Sequence, residues 1–170
     1  MMQRVDNPPR ICDESAGEIN TVKPRATPMP ETQVRAFFDR YAAAFSALDP
    51  AGILDHFDFP CQIATEDAGY AFADRPAIEA DMTGFVQFYA DHGFARAELA
   101  KLDYQPLSET FGLAHVNWRL VNREGESLVD VATTYILRHG DGGPAIIGIL
   151  GHNEDGAWRR RGIAAGQLAD

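Results

Sequence analysis

Apolar residues recur every three to four positions in two stretches of the first half of the chain. Those of the first stretch are Val34, Phe37, Phe38, Tyr41, Phe45 and Leu48. Those of the second are Ile78, Met82, Phe85, Val86 and Tyr89. This period is typical of amphipathic helices that bury one side, so the pattern predicts two long helices. Thr32 and Asp74 are predicted to cap their N-termini, and Gly93 is predicted to end the second helix.

A third, short helix is predicted between these two. Asp49-Pro50 supplies a cap followed by a proline in the first turn, where its missing N–H costs nothing. Ile53, Leu54 and Phe57 then face inward, and Phe59-Pro60 is predicted to end the helix. A strand at about 61–65 and a hairpin piece near 70–72 follow.

After Gly93 the period of the apolar pattern changes from helical to two. Alternation predicts strands over 95–105, 110–122, 127–138 and 146–150. Turns are predicted at 123–126 and 141–143, where glycine and charged residues cluster. Because three helices come first and the long strands afterwards, we predict an α+β fold with the helices packed in a mainly antiparallel sheet.

The two ends of the chain differ from this middle part. Residues 1–28 are polar and proline-rich with almost no apolar periodicity, which predicts a flexible N-terminal arm. The folded domain is predicted over 29–154. Residues 155–170 carry three consecutive arginines and no clear pattern, so we predict a polar tail in which Trp158 alone is suited to pack back onto the sheet.

Charge narrows the classes of partner. The net charge is -10, and residues 1–28 contribute four basic and four acidic side chains, so the whole deficit lies on the remainder. Such an acidic body repels phosphate, which argues against nucleic acid and anionic membranes as partners. No apolar run approaches the ~20 residues of a membrane span. With Cys12 and Cys61 expected to be reduced thiols, and no secretory signal pattern, the predicted location is the cytoplasm.

Three stretches carry a resemblance to a known family. They are Tyr41-Ala-Ala-Ala-Phe45 with Leu48-Asp49, Ile53-Leu54 and Phe57; His115-Val-Asn-Trp118-Arg-Leu120; and Thr133-Thr134-Tyr135-Ile136-Leu137-Arg138. Over about 31–154 the chain resembles the nuclear-transport-factor-2-like superfamily, which includes ketosteroid isomerase and SnoaL-like polyketide cyclases. The resemblance implies a cone-shaped roll whose curved sheet leaves an apolar pocket at one end. It also implies a homodimer formed through the outer face of the sheet.

The isomerase branch of that superfamily suggests a set of catalytic residues. There a tyrosine on the first helix and a protonated late-strand carboxyl polarise a ketone, and a second carboxylate moves the proton. Tyr41 matches the tyrosine, and Glu66 or Asp67 falls near the base position. The late-strand carboxyl is replaced by Thr134. The alternatives are a core aromatic for Tyr41 and a solvated turn for the two carboxylates.

A second set of candidate residues comes from the strand pair 110–122 and 127–138. If Asn122 pairs with Ser127, then Arg119 lies opposite Asp130 and His115 lies opposite Thr134. One interpretation makes these residues a polar, ligand-binding pocket floor. The other places them on the outer face, and it is favoured by the number of apolar residues on the opposite face. The residues of the polar set are His115, Asn117, Arg119, Asp130 and Thr134, and those of the opposite face are Val116, Trp118, Val129, Val131 and Tyr135.

Two functions therefore remain open from the sequence. One is a dimeric domain that binds a small apolar ligand in a pocket lined by Phe45, Phe57, Phe85 and Trp118. The other is a cofactor-free isomerase, cyclase or dehydratase that acts on an apolar carbonyl compound. The five histidines show no metal-ligand spacing, and no phosphate-binding glycine loop is present, so neither a metal nor a cofactor is predicted.

Overall fold

Three helices precede the long strands, as the apolar pattern predicts, and a fourth helix follows them. The computed structural model describes residues 27–163. The helices are α1 (Glu31–Ser46), α2 (Pro50–Leu54), α3 (Arg75–Asp91) and α4 (Glu154–Arg160). The strands are β1 (Phe57–Ala64), β2 (Gly69–Phe72), β3 (Arg96–Pro106), β4 (Phe111–Val121), β5 (Ser127–Gly140) and β6 (Gly143–Gly151). The predicted α+β class is confirmed.

The helix starts follow the predicted capping in part. Asp74 caps α3 by accepting a hydrogen bond from the backbone N of Ala77 at 3.1 Å. α1, however, begins one residue before Thr32, and Pro30 occupies its N-cap position. Thr32 therefore lies inside the helix, and its predicted role as the cap is wrong. Asp49 occupies the N-cap position of α2 as predicted, but its side chain makes no capping hydrogen bond.

The predicted end of α2 is also wrong. The helix ends at Leu54, and β1 begins at Phe57, so Phe59 and Pro60 lie within a strand. Phe57 is buried as expected, but it belongs to β1. The helical pattern of Ile53, Leu54 and Phe57 extends into β1 because an inward-facing strand residue at this point satisfies the same spacing.

The strands of the described residues form a six-stranded sheet in the order β2-β1-β6-β5-β4-β3. All neighbours are antiparallel except β1 and β6, which are parallel, so the sheet is mixed. Irregularities in the register interrupt four of its five strand pairs. Such bulges bend strands and increase their twist, which suits a sheet that curves around α1 and α3.

The register of β4 and β5 is largely as predicted. Arg119 lies opposite Asp130 and His115 opposite Thr134. The turn itself differs, because Ser127 lies opposite Val121 and an irregularity follows Leu120. The prediction was thus wrong at the turn and confirmed along the body of the strands.

The two faces of β4 and β5 differ sharply in burial. Val116, Trp118, Val131 and Tyr135 are each at most 5% exposed and face the helices. The polar set faces the other way, so the interpretation of these residues as a pocket floor is wrong and the outer-face alternative holds. Too many apolar side chains occupy the opposite face for it to be left in water. The residues of this outward set are His115, Asn117, Arg119, Asp130 and Thr134.

The C-terminal residues are more ordered than the predicted polar tail. Residues 154–160 form α4, and Trp158 on this helix is only 1% exposed. Its ring packs against Phe88 and Tyr89 of α3, with centroid separations of 5.3 and 5.7 Å. Trp158 thus anchors α4 to the body of the domain.

Some predictions lie outside the described residues, namely most of the N-terminal arm, Cys12 and the last seven residues of the tail. Cys61 is described, and its thiol is buried. Within residues 27–163, no helix combines the length and the apolar character of a membrane span. The same residues contain no group of three or more ionisable ligands arranged to hold a metal ion.

Candidate ligand-binding site

A cavity of about 680 Å³ lies between the helices and the inner face of the sheet. Most of its wall is aromatic or aliphatic, because the inward faces of α1, α3, β4 and β5 all contribute to it. The aromatic residues of this wall include Tyr41, Phe45, Phe85, Tyr89, Trp118 and Tyr135. The first residues of α4 close one end of the cavity.

Tyr41 extends from α1 into this cavity and is 4% exposed. Its ring lies 5.8 Å from the ring of Tyr135 and 6.3 Å from that of Trp118. Burial, reinforced by the neighbouring Tyr135, raises the pKa of Tyr41 well above its usual range. The phenol therefore stays protonated at neutral pH, as a hydrogen-bond donor must.

Tyr135 is the partner that links Tyr41 to the sheet. Its hydroxyl accepts a hydrogen bond from the indole Nε1 of Trp118 at 3.0 Å. Because burial also raises the pKa of Tyr135, this phenol is neutral as well. One wall of the cavity thus consists of the hydrogen-bonded pair Trp118 and Tyr135 with the ring of Tyr41 packed against both.

A carboxyl group that sequence reasoning missed lies at the polar end of the cavity. Glu154 is the first residue of α4, and it accepts a hydrogen bond from the hydroxyl of Tyr89. Burial raises the pKa of Glu154, and the hydrogen bond from Tyr89 partly opposes that rise. The sequence spacing does contain one signal for Glu154. Glu154 and Trp158 are four residues apart and therefore lie on the same side of a helix, and an apolar Trp158 indicates that this side faces the interior.

The predicted catalytic carboxylates lie at the rim of the cavity instead. Glu66 and Asp67 line its mouth in the loop between β1 and β2, and both are exposed. Asp67 accepts a hydrogen bond from Arg159 of α4 at 3.0 Å. The base predicted beside Tyr41 is thus placed in solvent, whereas Glu154 is half-buried and lines the cavity.

The predicted apolar lining divides in the same way. Phe45, Phe85 and Trp118 line the cavity. Phe57 packs behind Tyr41 instead, with ring centroids 6.5 Å apart. Sequence spacing predicted that all four side chains are inside the domain. It could not predict which of them contact the cavity and which pack behind its lining.

Thr134, the residue predicted to replace the late-strand carboxyl, points away from the cavity. Its Oγ1 lies 2.6 Å from both His115 Nδ1 and His152 Nε2. The inward-facing neighbours are Thr133 and Tyr135, both of which line the cavity. Thr134 therefore does not occupy the predicted place in the cavity, because neighbouring residues of a strand face opposite sides of the sheet.

Comparison with known families identifies the fold. The family model described as NTF2-like protein (DUF6841) matches residues 31–154. The chain belongs to this NTF2-like family. The match covers the same residues as the resemblance recognised in the sequence, and it confirms that resemblance.

Solved structures similar to this NTF2-like domain share its fold at low sequence identity. A domain of unknown function with a cystatin-like fold from Nostoc punctiforme is 20% identical, with a TM-score of 0.55 over 77% of this chain and 81% of that one. An NTF2-like protein from Novosphingobium aromaticivorans is 16% identical, with a TM-score of 0.60 over 80% and 89%. An NTF-2 like protein of unknown function from Shewanella oneidensis is 10% identical, with a TM-score of 0.58 over 73% and 99%. These similarities establish the fold alone, and no curated protein matches the chain.

Proposed function

We propose that this NTF2-like domain binds a small, largely apolar molecule in its internal cavity. The observation that carries the proposal is the cavity of about 680 Å³ with an aromatic wall and a few convergent polar groups. Small-molecule sites typically have about 300–1,000 Å³ and this combination of lining groups. The apolar wall supplies binding energy through burial, and the polar end orients the ligand.

Binding can be tested with N-phenyl-1-naphthylamine, a neutral dye whose fluorescence rises in apolar surroundings. Val131→Phe adds a ring to the cavity wall, and Ala132→Phe adds the same ring to the opposite face of β5. We expect Val131→Phe to weaken dye binding at least tenfold and Ala132→Phe to leave it unchanged. A wild-type protein that does not bind the dye, or equal effects of the two substitutions, would contradict the proposal.

A second candidate function is cofactor-free acid–base catalysis on a carbonyl compound, as an isomerase, cyclase or dehydratase. The observation that favours it is that one cavity contains the protonated phenol of Tyr41 and the carboxyl of Glu154, whose pKa is raised by burial. A phenol donates to a developing oxyanion, and a carboxyl with a raised pKa exchanges protons closer to neutral pH. Both groups needed for an enolisation are therefore present in the cavity.

This candidate is tested by conversion of a β,γ-unsaturated cyclic ketone to its conjugated isomer, which absorbs in the ultraviolet. Tyr41→Phe removes the donor and should lower the rate at least tenfold. Tyr104→Phe is the matched control, because the Tyr104 hydroxyl bonds His139 outside the cavity. Equal rates for wild type and Tyr41→Phe would exclude Tyr41 as a catalytic residue.

We also propose that the domain forms a homodimer through the outer face of its sheet. Phe111 and Leu150 are 39% and 41% exposed on this face. Arg119 and Asp130 lie opposite each other on the same face, with 3.6 Å between Nε and Oδ1. A two-fold interface must match itself, and a face that carries apolar side chains with both signs of charge meets this condition.

A further inference from the structure

At the polar end of the cavity, the carboxyl group of Glu154 offers hydrogen-bond acceptors to a ligand. The indole N–H of Trp118 is used by the hydroxyl of Tyr135, and the hydroxyl of Tyr89 is used by Glu154. A carboxylate has about four acceptor positions, of which Tyr89 occupies one. A ligand that satisfies Glu154 must therefore donate hydrogen bonds or carry positive charge.

The acidic groups that line the cavity outnumber the basic ones. Besides Glu154 inside, the acidic groups Glu66, Asp67 and Asp155 line the mouth. Arg159 is the basic residue there, and Asp67 at 3.0 Å compensates its charge. Among the ion pairs of residues 27–163, none includes Glu154. The cavity thus attracts cations and repels anions.

The aromatic wall adds a third property that favours a cation. Faces of tyrosine, tryptophan and phenylalanine carry negative electrostatic potential and attract ammonium groups within about 6 Å, most strongly where water is excluded. Tyr41, Tyr89 and Trp118 all line the cavity that contains Glu154. From these contacts and charges we infer that the ligand is a small amine in its cationic form, with an apolar body that fills the aromatic part of the cavity.

This inference rests on the proposed binding function and narrows its ligand class. A carbonyl ligand is the competing class, because a protonated Glu154 would donate to a carbonyl oxygen. The two classes make opposite demands on the residue: an amine cation needs the carboxylate, whereas a carbonyl accepts equally well from a glutamine amide. The charge of residue 154 is therefore the variable to test.

The first experiment compares two probes of nearly equal shape, phenyltrimethylammonium and tert-butylbenzene, by calorimetric titration of the wild-type protein at pH 8. We expect the cation to bind at least tenfold more tightly. If tert-butylbenzene binds and the cation binds no better, the inference is overturned while the proposed binding function stands. If neither probe nor the naphthylamine dye binds, both are overturned.

The second experiment removes the charge of Glu154. Glu154→Gln keeps an oxygen to accept from Tyr89 and should reduce the preference for phenyltrimethylammonium at least tenfold without changing the affinity for tert-butylbenzene. Glu124→Gln is the matched control, because it removes an exposed carboxylate in the turn between β4 and β5 and should leave both affinities unchanged. Retention of the full preference in Glu154→Gln would overturn the inference.

The third experiment uses only the wild-type protein and so does not depend on the folding of a variant. Because phenyltrimethylammonium does not titrate, its affinity should rise with pH as Glu154 ionises and then level off. A flat profile between pH 4 and pH 8 would overturn the inference. The other titratable groups that line the cavity are Tyr41 of α1, Glu66 and Asp67 of the loop after β1, Tyr70 of β2, Tyr89 of α3, Tyr135 of β5, His152, and Asp155 and Arg159 of α4.

Discussion

The ionisation of Glu154 affects both the stability of the folded protein and its preference for a charged or neutral ligand. A carboxylate taken out of water is costly unless charges or hydrogen bonds compensate it. Tyr89 supplies one hydrogen bond, and the neighbouring Asp155 adds repulsion. The folded protein consequently favours the neutral form of Glu154, and a bound cation would favour the charged form. Ligand and proton therefore compete for the same side chain.

The pH dependence of stability should expose this cost directly. Because the pKa of Glu154 in the folded state lies above its ordinary value of 4.5, the folded state holds the proton more tightly than the unfolded chain. The contribution of Glu154 to stability is thus fully present below 4.5 and is lost as pH rises through the folded-state pKa. Glu154→Gln, which is always neutral, should be more stable than wild type at pH 8 and should lose that advantage by pH 4.

Urea unfolding followed by circular dichroism at both pH values measures the difference. Glu124→Gln serves as the comparison, since its exposed carboxylate should give a small difference between the two pH values. A Glu154→Gln variant that is less stable than wild type at pH 8 would show that the carboxylate is stabilised in the folded protein, and would contradict the assigned direction.

Among the secondary-structure elements, α4 is the one that places Glu154 at the cavity. Its anchor is Trp158, which is fully buried and packs on Phe88 and Tyr89. The indole Nε1 of Trp158 makes no hydrogen bond within residues 27–163, so packing alone holds it. Losing this anchor should therefore detach the helix and open the polar end of the cavity.

Trp158→Ala should lower the free energy of unfolding by about 3–5 kcal/mol, the usual cost of truncating a buried aromatic residue. Arg160→Ala on the same helix changes an exposed side chain and should alter it by at most about 0.5 kcal/mol. Urea unfolding of the two variants gives both values. A loss below about 1 kcal/mol for Trp158→Ala would mean that α4 is not anchored through its indole.

Periodicity predicted the long elements well and the short ones poorly. α1 and α3 bury five and four residues on regular stripes, so a single sequence reveals them. α4 has seven residues, of which only Ala157 and Trp158 are buried, and two inward positions do not define a period. For the same reason the short α2 was extended too far, since Phe57 continues its spacing from within a strand.

The site was predictable only where it uses the long elements. Tyr41, Phe45 and Phe85 belong to regular helical stripes, and each lines the cavity. Glu154 belongs to α4, where its four-residue spacing from Trp158 is the only local signal, and one such pair does not define a helix. The outward direction of Thr134 follows from strand parity, which a one-residue error reverses.

In the whole molecule, one face of the sheet serves the cavity and the other is available for association with a second copy. Its inner face forms the cavity wall, while its outer face presents Leu150 on the central β6 beside the outward side of β5. A chain with a net charge of -10 repels copies of itself over most of its surface. Association is therefore expected where apolar residues and paired charges are concentrated.

The mass of the protein in solution tests whether that face joins two copies. We expect sedimentation equilibrium to give twice the chain mass for wild type and the single chain mass for Leu150→Glu, because a buried carboxylate at the centre of a two-fold interface occurs twice and without a partner. Leu107→Glu is the matched control: Leu107 is 54% exposed and lies in the turn after β3. It should leave the dimer intact. A monomeric wild type would show that the outer face does not form an interface. Dissociation by both substitutions alike would also contradict the proposal, because an effect shared by both positions reflects the added negative charge and not disrupted packing at β6.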